Sequence, residues 1–350
     1  MAKPIALAAF DSFKGTAGAA ELCGAAARGL ADAVTTREHP LSDGGDGFGE
    51  VLAASGELRQ TLEVGTVDAL GRAVIAQVPL LATSEGLVAI VESARACGLA
   101  IVGGAAGNDP LAASTRGVGD MVLAAVRAGV GRIVVGCGGS ATTDGGRGAL
   151  EVLAAQDLGR ASIEVAVDVA TVFTDAALRF APQKGASTEQ VGVLTDRLQR
   201  LAIDYAEAYA TLVDRIPGSG AAGGLAGGLA ALGARIVSGF ELVAELTELS
   251  RDLEGCELLL TGEGRLDATS LEGKVVVPLA RMAPETTPVV VFAGSAEPGC
   301  AEALNEACGR PVEVIDLSAT YGEQRCLEAP GAVLEEAVRV LAGAGKVTRT

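Results

Sequence analysis

The chain has 350 residues, 49% of them hydrophobic and 3% aromatic, and a formal net charge of −17. That length exceeds one usual domain, so two domains are expected, with cores close-packed from small side chains because Ala and Gly dominate. The charge argues against nucleic acid and anionic membrane as partners, because phosphate-rich surfaces repel it, and an anionic substrate would need lysines and arginines concentrated locally. The seven cysteines are scattered, odd in number and without a Cys-x-x-Cys pair, which points to a reducing, cytoplasmic compartment. The apolar run near the start is too short for a signal peptide, and no run is long enough to span a bilayer. The single histidine, His39, excludes a histidine-based zinc site, and a Ser-His-Asp triad unless His39 itself serves.

The first apolar run, 5–10, reads as a strand, and 17–34 reads as a helix by apolar spacing. Between them stand Asp11, Ser12, Lys14 and Thr16. An acid, hydroxyls and a lysine at a helix mouth suit a charged ligand; the alternative is that Ser12 or Thr16 caps the helix and Asp11 complements its dipole. Next, Ser-Asp-Gly-Gly-Asp-Gly at 42–47 places Asp43 and Asp46 three apart on a glycine loop, able to share a metal, although Asp-Gly-Gly is also ordinary turn chemistry. Segment 58–81 alternates apolar and polar residues around a turn and reads as antiparallel strands, a change of pattern that puts a domain boundary near 65. A strand at 87–91 follows, then a helix from about 116 to 128. Arg116 at its start is electrostatically odd, which makes it a candidate for holding a carboxylate or phosphate.

The central stretch, 132–148, is a short β-branched run that breaks into glycines, hydroxyls and one carboxylate. Gly138 and Gly139 would let backbone N–H groups approach a phosphate, Ser140, Thr142 and Thr143 add hydroxyls, and Asp144 offers a magnesium ligand or a base. A strand at 163–169 ends near Asp168. Pro182 and Gly185 form a rigid turn expected to present Lys184, a helix covers 194–212, and the glycine-dense 217–228 reads as a ligand loop or a hinge. A strand at 257–260 runs into Thr-Gly-Glu-Gly-Arg-Leu-Asp at 261–267, followed by Gly273 and Lys274. This is no standard P-loop: Ala268 stands at the first glycine position and Val275 at the required hydroxyl. Strands at 288–292 and 312–317 and helices at 298–307 and 333–341 complete a β-α alternation. Four polar clusters, at 11–14, 43–46, 140–144 and 261–267, all follow a predicted strand, where open α/β sheets bind ligands. Acids, lysines, hydroxyls and glycine loops without reactive thiols are the equipment of phosphoryl transfer.

Six ordered segments carry a resemblance that covers nearly the whole chain: Asp-Ser-Phe-Lys-Gly at 11–15, Ser-Asp-Gly-Gly-Asp-Gly at 42–47, Gly-Gly-Ser-Ala-Thr-Thr-Asp-Gly-Gly at 138–146, Pro-Gln-Lys-Gly-Ala at 182–186, Gly-Ala-Ala-Gly-Gly at 220–224 and Thr-Gly-Glu-Gly-Arg-Leu-Asp at 261–267. Together they resemble the bacterial glycerate kinase family, type I. The resemblance implies an α/β protein of two domains, one Rossmann-like with a parallel sheet built from both chain ends (1–65 with 285–350) and one inserted α/β domain (66–284), with the active site in the cleft between them. It also implies ATP and Mg²⁺, and phosphorylation of D-glycerate to 2-phosphoglycerate, with 3-phosphoglycerate the other product left open. A homodimer is compatible with it. Departures from the family pattern are Asp46 for Glu, Thr143 for Asn, Thr269 for Gln, and 169–175 for a segment beginning Asn-Pro-Leu.

On that basis Asp144 or Asp267 is expected to take the proton from the glycerate hydroxyl, with Lys14 and Lys184 neutralising the transferring phosphate. Asp43, Asp46 and Glu263 are magnesium or positioning candidates, and Arg116 or Arg265 would hold the glycerate carboxylate. Asp11, Ser12 and Ser140 are further substrate contacts; Gly138, Gly139, Thr142, Gly262, Glu263, Gly264 and Lys274 are nucleotide contacts. Domain closure is expected, with 218–228 as hinge. The rival reading is an NAD(P)-dependent oxidoreductase using Gly136-x-Gly138-x-x-Ala141, with Glu164 or Asp168 as the acid and His39 as proton donor. A non-enzymatic small-ligand sensor is a second rival.

Overall fold

The computed structural model describes residues 3–31, 34–45, 47–55, 57–272 and 274–344. Among them, eleven strands run in chain order: β1 (Ile5–Ala8), β2 (Thr35–Glu38), β3 (Glu57–Val67), β4 (Ala73–Thr83), β5 (Gly86–Glu92), β6 (Arg132–Gly136), β7 (Ser162–Val167), β8 (Arg235–Ser238), β9 (Leu258–Leu266), β10 (Val289–Ala296) and β11 (Glu313–Asp316). They build two compact units, Met1–Gly47 with Val243–Thr350, and Phe48–Leu242. The fold is α/β in both, and the first unit is assembled from both chain ends. No described helix is long and apolar enough to cross a membrane.

The first unit holds a parallel sheet in the order β11-β10-β9-β1-β2. Parallel pairing demands helical crossovers that cover both faces, and the core shows it: Ala6, Ala8, Leu258, Leu260, Val290 and Phe292 from the sheet pack with Leu22, Leu30, Val333 and Leu334 from the helices Ala19–Leu30 and Pro330–Gly343. From β1 the chain moves outward to β2; from β9, on the other side of β1, it moves outward to β10 and β11. The switch point therefore lies between β1 and β9. Pairing of β1 with β9 ends at Ala8 and Leu260, whereas β9 and β10 stay paired as far as Leu266 and Ala296. The 261–267 cluster is thus mostly strand, rather than a loop beyond one. The strand that precedes the 43–46 cluster, β2, is an edge strand of polar composition, Thr-Thr-Arg-Glu, and edges need no apolar run.

The second unit holds a mixed sheet in the order β3-β4-β5-β6-β7-β8, antiparallel from β3 to β5 and parallel from β5 to β8. This corrects both expected boundaries. Residues 48–65 belong with the second unit because β3 pairs along its length with β4, and 243–284 belong with the first because β9 is inserted between β1 and β10.

The glycine-dense segment is no hinge. It forms the helix Ala221–Ala231, in which Ala222, Gly223 and Gly224 adopt left-handed backbone and every residue is buried. A Cβ on Gly223 would lie 2.0 Å from the Thr142 carbonyl oxygen and 2.6 Å from Thr143 Cα. These glycines permit backbone-to-backbone packing on the loop that follows β6. Gly223→Ala should therefore cost roughly 1–3 kcal/mol or more through overpacking and an unfavourable φ, read as a lowered thermal midpoint; an unchanged midpoint would mean the contact is not tight.

Candidate active site

The first site is a cavity of about 320 Å³ in the first unit, at the carboxyl ends of its strands. Three elements bring its charged groups together. The segment after β1 supplies Asp11, Ser12 and Lys14, the segment after β2 supplies Asp43, and the extension of β9 supplies Glu263, Arg265 and Asp267. The residues after β1 are not helix caps. The helix begins at Ala19 with Gly18 as its cap and no side-chain cap bond, and Thr16 Oγ1 donates instead to the Phe13 carbonyl at 2.9 Å. Gly264 allows this loop to lie on β9, since a Cβ there would stand 3.2 Å from Phe13 Cα and 3.4 Å from Lys14 N. Gly262 serves packing: a Cβ there would meet the Phe292 carbonyl oxygen at 2.1 Å.

The electrostatics are those of carboxylates crowded at low exposure. Asp11 and Asp43 are buried. Asp11 Oδ1 accepts the Ser12 N–H at 2.7 Å, Asp43 Oδ1 accepts the Gly45 N–H at 2.9 Å, and Lys14 Nζ lies 3.9 Å from Asp43 Oδ2. Burial, with Asp43 adding its charge, pushes the Asp11 carboxyl up to about 8. Glu263 is pushed up to about 7 by burial, with Asp267 and Asp43 adding to it and a Ser270 hydrogen bond and Lys274 opposing. Asp267 goes the other way: the Thr269 hydroxyl, then its N–H, Lys274 and Arg265, hold it below its ordinary value against a burial effect. Three carboxylates in one crevice thus differ in proton affinity because burial dominates at Asp11 and Glu263 and donors dominate at Asp267.

Arg265 is not a free fork. Its Nη2 lies 2.6 Å from Glu297 Oε1 and its Nε 3.7 Å from Asp267 Oδ2. Asp46 lies outside the described residues, and among those described no group of three or more His, Cys, Asp or Glu is arranged to hold a metal. Lining residues absent from the sequence reading are Gly294, Ser295, Ser318, Glu323, Cys326 and Leu327. For Gly294 and Ser295 the signal was the small Ala-Gly-Ser tail of β10, a further strand end with a hydroxyl; Ser318, Glu323, Cys326 and Leu327 come from two later helices and had none.

The second cluster lies in the second unit, after β6, and most of its polar groups are engaged internally, while Thr143 Oγ1 is buried without a hydrogen-bond partner. Asp144 Oδ2 accepts from the Thr115 N–H at 2.8 Å, the Thr115 hydroxyl at 2.9 Å and the Gly148 N–H at 3.1 Å, while Oδ1 accepts the Gly146 N–H at 3.1 Å. A carboxylate so engaged braces the loop against the helix Arg147–Leu153, which leaves it poorly placed as the expected base. Lys184 is not presented by its turn; it is buried, donating to Ser140 Oγ at 3.0 Å and the Thr142 carbonyl at 2.6 Å. Thr142 Oγ1 donates to the Ala222 carbonyl at 3.4 Å. The carbonyls of Gly138 and Gly139 accept from Ser93 Oγ and the Leu99 N–H. Arg116 lines a separate groove with Asp120 and residues of β3 and β4, alongside neither Ser140 nor Lys184.

The oxidoreductase alternative is not supported. The dinucleotide fingerprint needs a helix opening at its last position, whereas here the loop runs on past Ala141 and the helix opens only at Arg147. Glu164 is paired with Arg132 at 2.7 Å and with Arg235. His39 is buried between Asp252 Oδ2 and Thr247 Oγ1, each at 2.7 Å.

A parallel sheet with crowded carboxylates and lysines at its switch point has the equipment of a phosphoryl-transfer enzyme. The glycerate kinase family model matches residues 6–161 and 154–344. The chain is 45% identical over 266 residues to an uncharacterized protein of Mycobacterium bovis, covering 73% of this chain and 68% of that protein. It is 32% identical over 324 residues to the glycerate 2-kinase of Escherichia coli K12, covering 81% and 84%. A crystal structure from Salmonella typhimurium LT2, described as a candidate glycerate kinase 2, superposes with a TM-score of 0.78 at 28% identity over 98% of each chain. The chain belongs to the glycerate kinase family, and so to the ATP-dependent kinases that phosphorylate an alcohol.

Burial pushes the Lys184 ammonium from its ordinary 10.5 down to about 8, with the Asp144 carboxylate opposing. The unfolded chain then binds this proton more tightly than the folded one, so stability rises with pH between about 8 and 10.5. Compared with Lys184→Met, the wild type should gain about 2 kcal/mol between pH 8 and 10 in chemical denaturation. A pH-independent difference would show that the ammonium is not desolvated.

Proposed function

We propose that this chain is a type I glycerate kinase that transfers the γ-phosphoryl group of ATP to D-glycerate, releasing ADP and 2-phosphoglycerate. The observation that carries the reading is the convergence of Asp11, Asp43, Glu263, Lys14 and Lys274 on one crevice at the switch point of a parallel sheet. The name of the Escherichia coli relative supports the 2-position.

Glu263 replaces Asp144 and Asp267 as the base. A base works best with a proton affinity near the operating pH, and Glu263 sits at about 7 whereas Asp267 is held low. The glycerate hydroxyl gives its proton to Glu263 as its oxygen bonds to the γ-phosphorus. The bond from that phosphorus to the β,γ-bridging oxygen breaks, and ADP leaves with the electron pair. Lys14 and Lys274 neutralise the phosphoryl oxygens and the substrate carboxylate, concentrating positive charge against the molecule's overall −17. The donor set fits Mg²⁺: Asp43 and Asp11 are both buried carboxylates lining the crevice, and magnesium commonly takes only one or two carboxylates beside substrate phosphates. When bound, the ion supplies charge neutralisation at the phosphates. Asp144 and Lys184 position the 138–146 loop.

A cytoplasmic location is supported by seven free, buried cysteines. A homodimer is supported by the eleven-residue edge strand β3, with exposed Leu58 on it and Ile75 on neighbouring β4.

Phosphorus NMR of the protein with MgATP and D-glycerate should show a new phosphomonoester, a doublet for the 2-phosphate and a triplet for the 3-phosphate. No phosphoglycerate with intact ATP binding would overturn the acceptor. Glu263→Gln should lower kcat by about 10²-fold or more, judging by electrostatic catalytic groups generally. In the wild type, kcat/KM should fall as pH drops below about 7, because protonated Glu263 cannot accept the hydroxyl proton. A profile flat from pH 5 to 8 would remove Glu263 as the base.

A further inference from the structure

D-glycerate carries two adjacent hydroxyls of similar chemistry, so a kinase that makes one product must hold one of them away from its base. The turn at the end of β9 has the geometry for that task. Asp267 is the first residue beyond the strand, and both it and Thr269 line the cavity that holds Asp11, Lys14 and Glu263. Thr269 gives two hydrogen bonds to the same carboxylate oxygen: its N–H reaches Asp267 Oδ1 at 2.8 Å and its hydroxyl reaches it at 2.7 Å. Two donors fill that oxygen's two lone pairs. The backbone is held as well. The Asp267 N–H donates to Ser270 Oγ at 3.1 Å, Ser270 Oγ donates to the Arg265 carbonyl at 3.3 Å, and Ser270 is buried.

The other oxygen, Oδ2, keeps its acceptor capacity. Arg265 Nε stands 3.7 Å from it, beyond hydrogen-bond length, and the side chain is 27% exposed. Asp267 therefore offers the cavity a single acceptor oxygen in one orientation, although a carboxylate torsion is otherwise broad.

We propose that Thr269 is a positioning residue that sets which hydroxyl of the acceptor is phosphorylated. It commits Asp267 Oδ1, so that Oδ2 alone accepts a hydrogen bond from the C3 hydroxyl and leaves the C2 hydroxyl to the base. The inference rests on the glycerate kinase reading above. Removing the Thr269 hydroxyl leaves the Thr269 N–H on Oδ1 but frees that oxygen's second lone pair, so that Oδ1 as well as Oδ2 can accept from the substrate and either hydroxyl can be the one held.

The test is the product ratio, which a helix-capping role for this turn would not change. Phosphorus NMR of full-length Thr269→Val with MgATP and D-glycerate should show the preference for 2- over 3-phosphate falling by about 10-fold, the worth of roughly one hydrogen bond, and Thr269→Ser should restore it. Thr269→Ala, smaller and equally without a hydroxyl, should match Thr269→Val and stands in for it if that variant does not fold. A lowered thermal midpoint with an unchanged product ratio in both hydroxyl-free variants overturns the inference. Asp267→Asn separates the levels. Wild-type kcat/KM and product ratio in that variant would remove Asp267 from the substrate contacts and the inference with it, while the kinase reading stands. Absence of any phosphoglycerate from the wild type would overturn the kinase reading itself.

Discussion

In the first unit, the length mismatch between two neighbouring strands makes the crevice. β1 spans Ile5–Ala8 and β9 spans Leu258–Leu266. Beyond Ala8 the chain turns away, and the Ala9 N–H makes the last bond to β9, at the Leu260 carbonyl. Past that point β9 has β10 on one side and the 11–16 loop on the other. Strand alternation then sends Glu263, Arg265 and Asp267 to a common face, while Gly264 keeps the loop close. Because β1 is also where the strand order reverses, the opening coincides with the switch point.

Into that opening the chain places more negative than positive charge, within a molecule that is already strongly anionic. Such a crevice is unstable toward like-charge repulsion unless a proton or cation enters, and the raised proton affinities of Asp11 and Glu263 express that repulsion together with desolvation. A kinase gains from this arrangement. Burial, with the neighbouring carboxylates adding to it, raises Glu263 to the range where it can take a proton near neutral pH. Asp267 escapes the rise because Thr269 supplies donors to its charged form.

The second unit solves a different problem with similar residues. Its loop after β6 carries the same kinds of side chain, yet Asp144 is saturated by backbone N–H groups and a threonine, and Lys184 is spent on Ser140 and Thr142. The glycines of 221–231 press on this loop from below with almost no clearance. Buried polar groups that find all these partners specify one arrangement of the backbone, so this region reads as a rigid scaffold. A glycine-rich stretch in sequence is therefore as compatible with the tightest packing in the molecule as with a hinge; which applies depends on what lies against it.

The sequence alone determined the α/β class, the hairpin near 58–81, and the family, because these rest on local periodicity and on ordered motifs whose residue types are chemically demanding; the assembly of one unit from both chain ends was implied only through the family resemblance. It also placed Asp11, Lys14, Asp43, Glu263, Arg265 and Lys274 on the list from which the crevice is drawn. Only the tertiary structure decided that β9 lies between β1 and β10, which moved the second unit boundary, and that β3 pairs along its length with β4, which moved the first; pairing between strands distant in the chain leaves no mark in either partner's composition. It likewise decided how many hydrogen-bond donors each acid meets and how deeply each is buried. Asp144 and Asp267 look alike in sequence to Glu263, and they differ only in how many donors the fold brings to each carboxylate: four for Asp144, two on one oxygen of Asp267, and for Glu263 a burial that leaves it wanting a proton. Hydrogen-bond donors come from residues distant in the chain, and proton affinity follows the donors and the burial rather than the residue type.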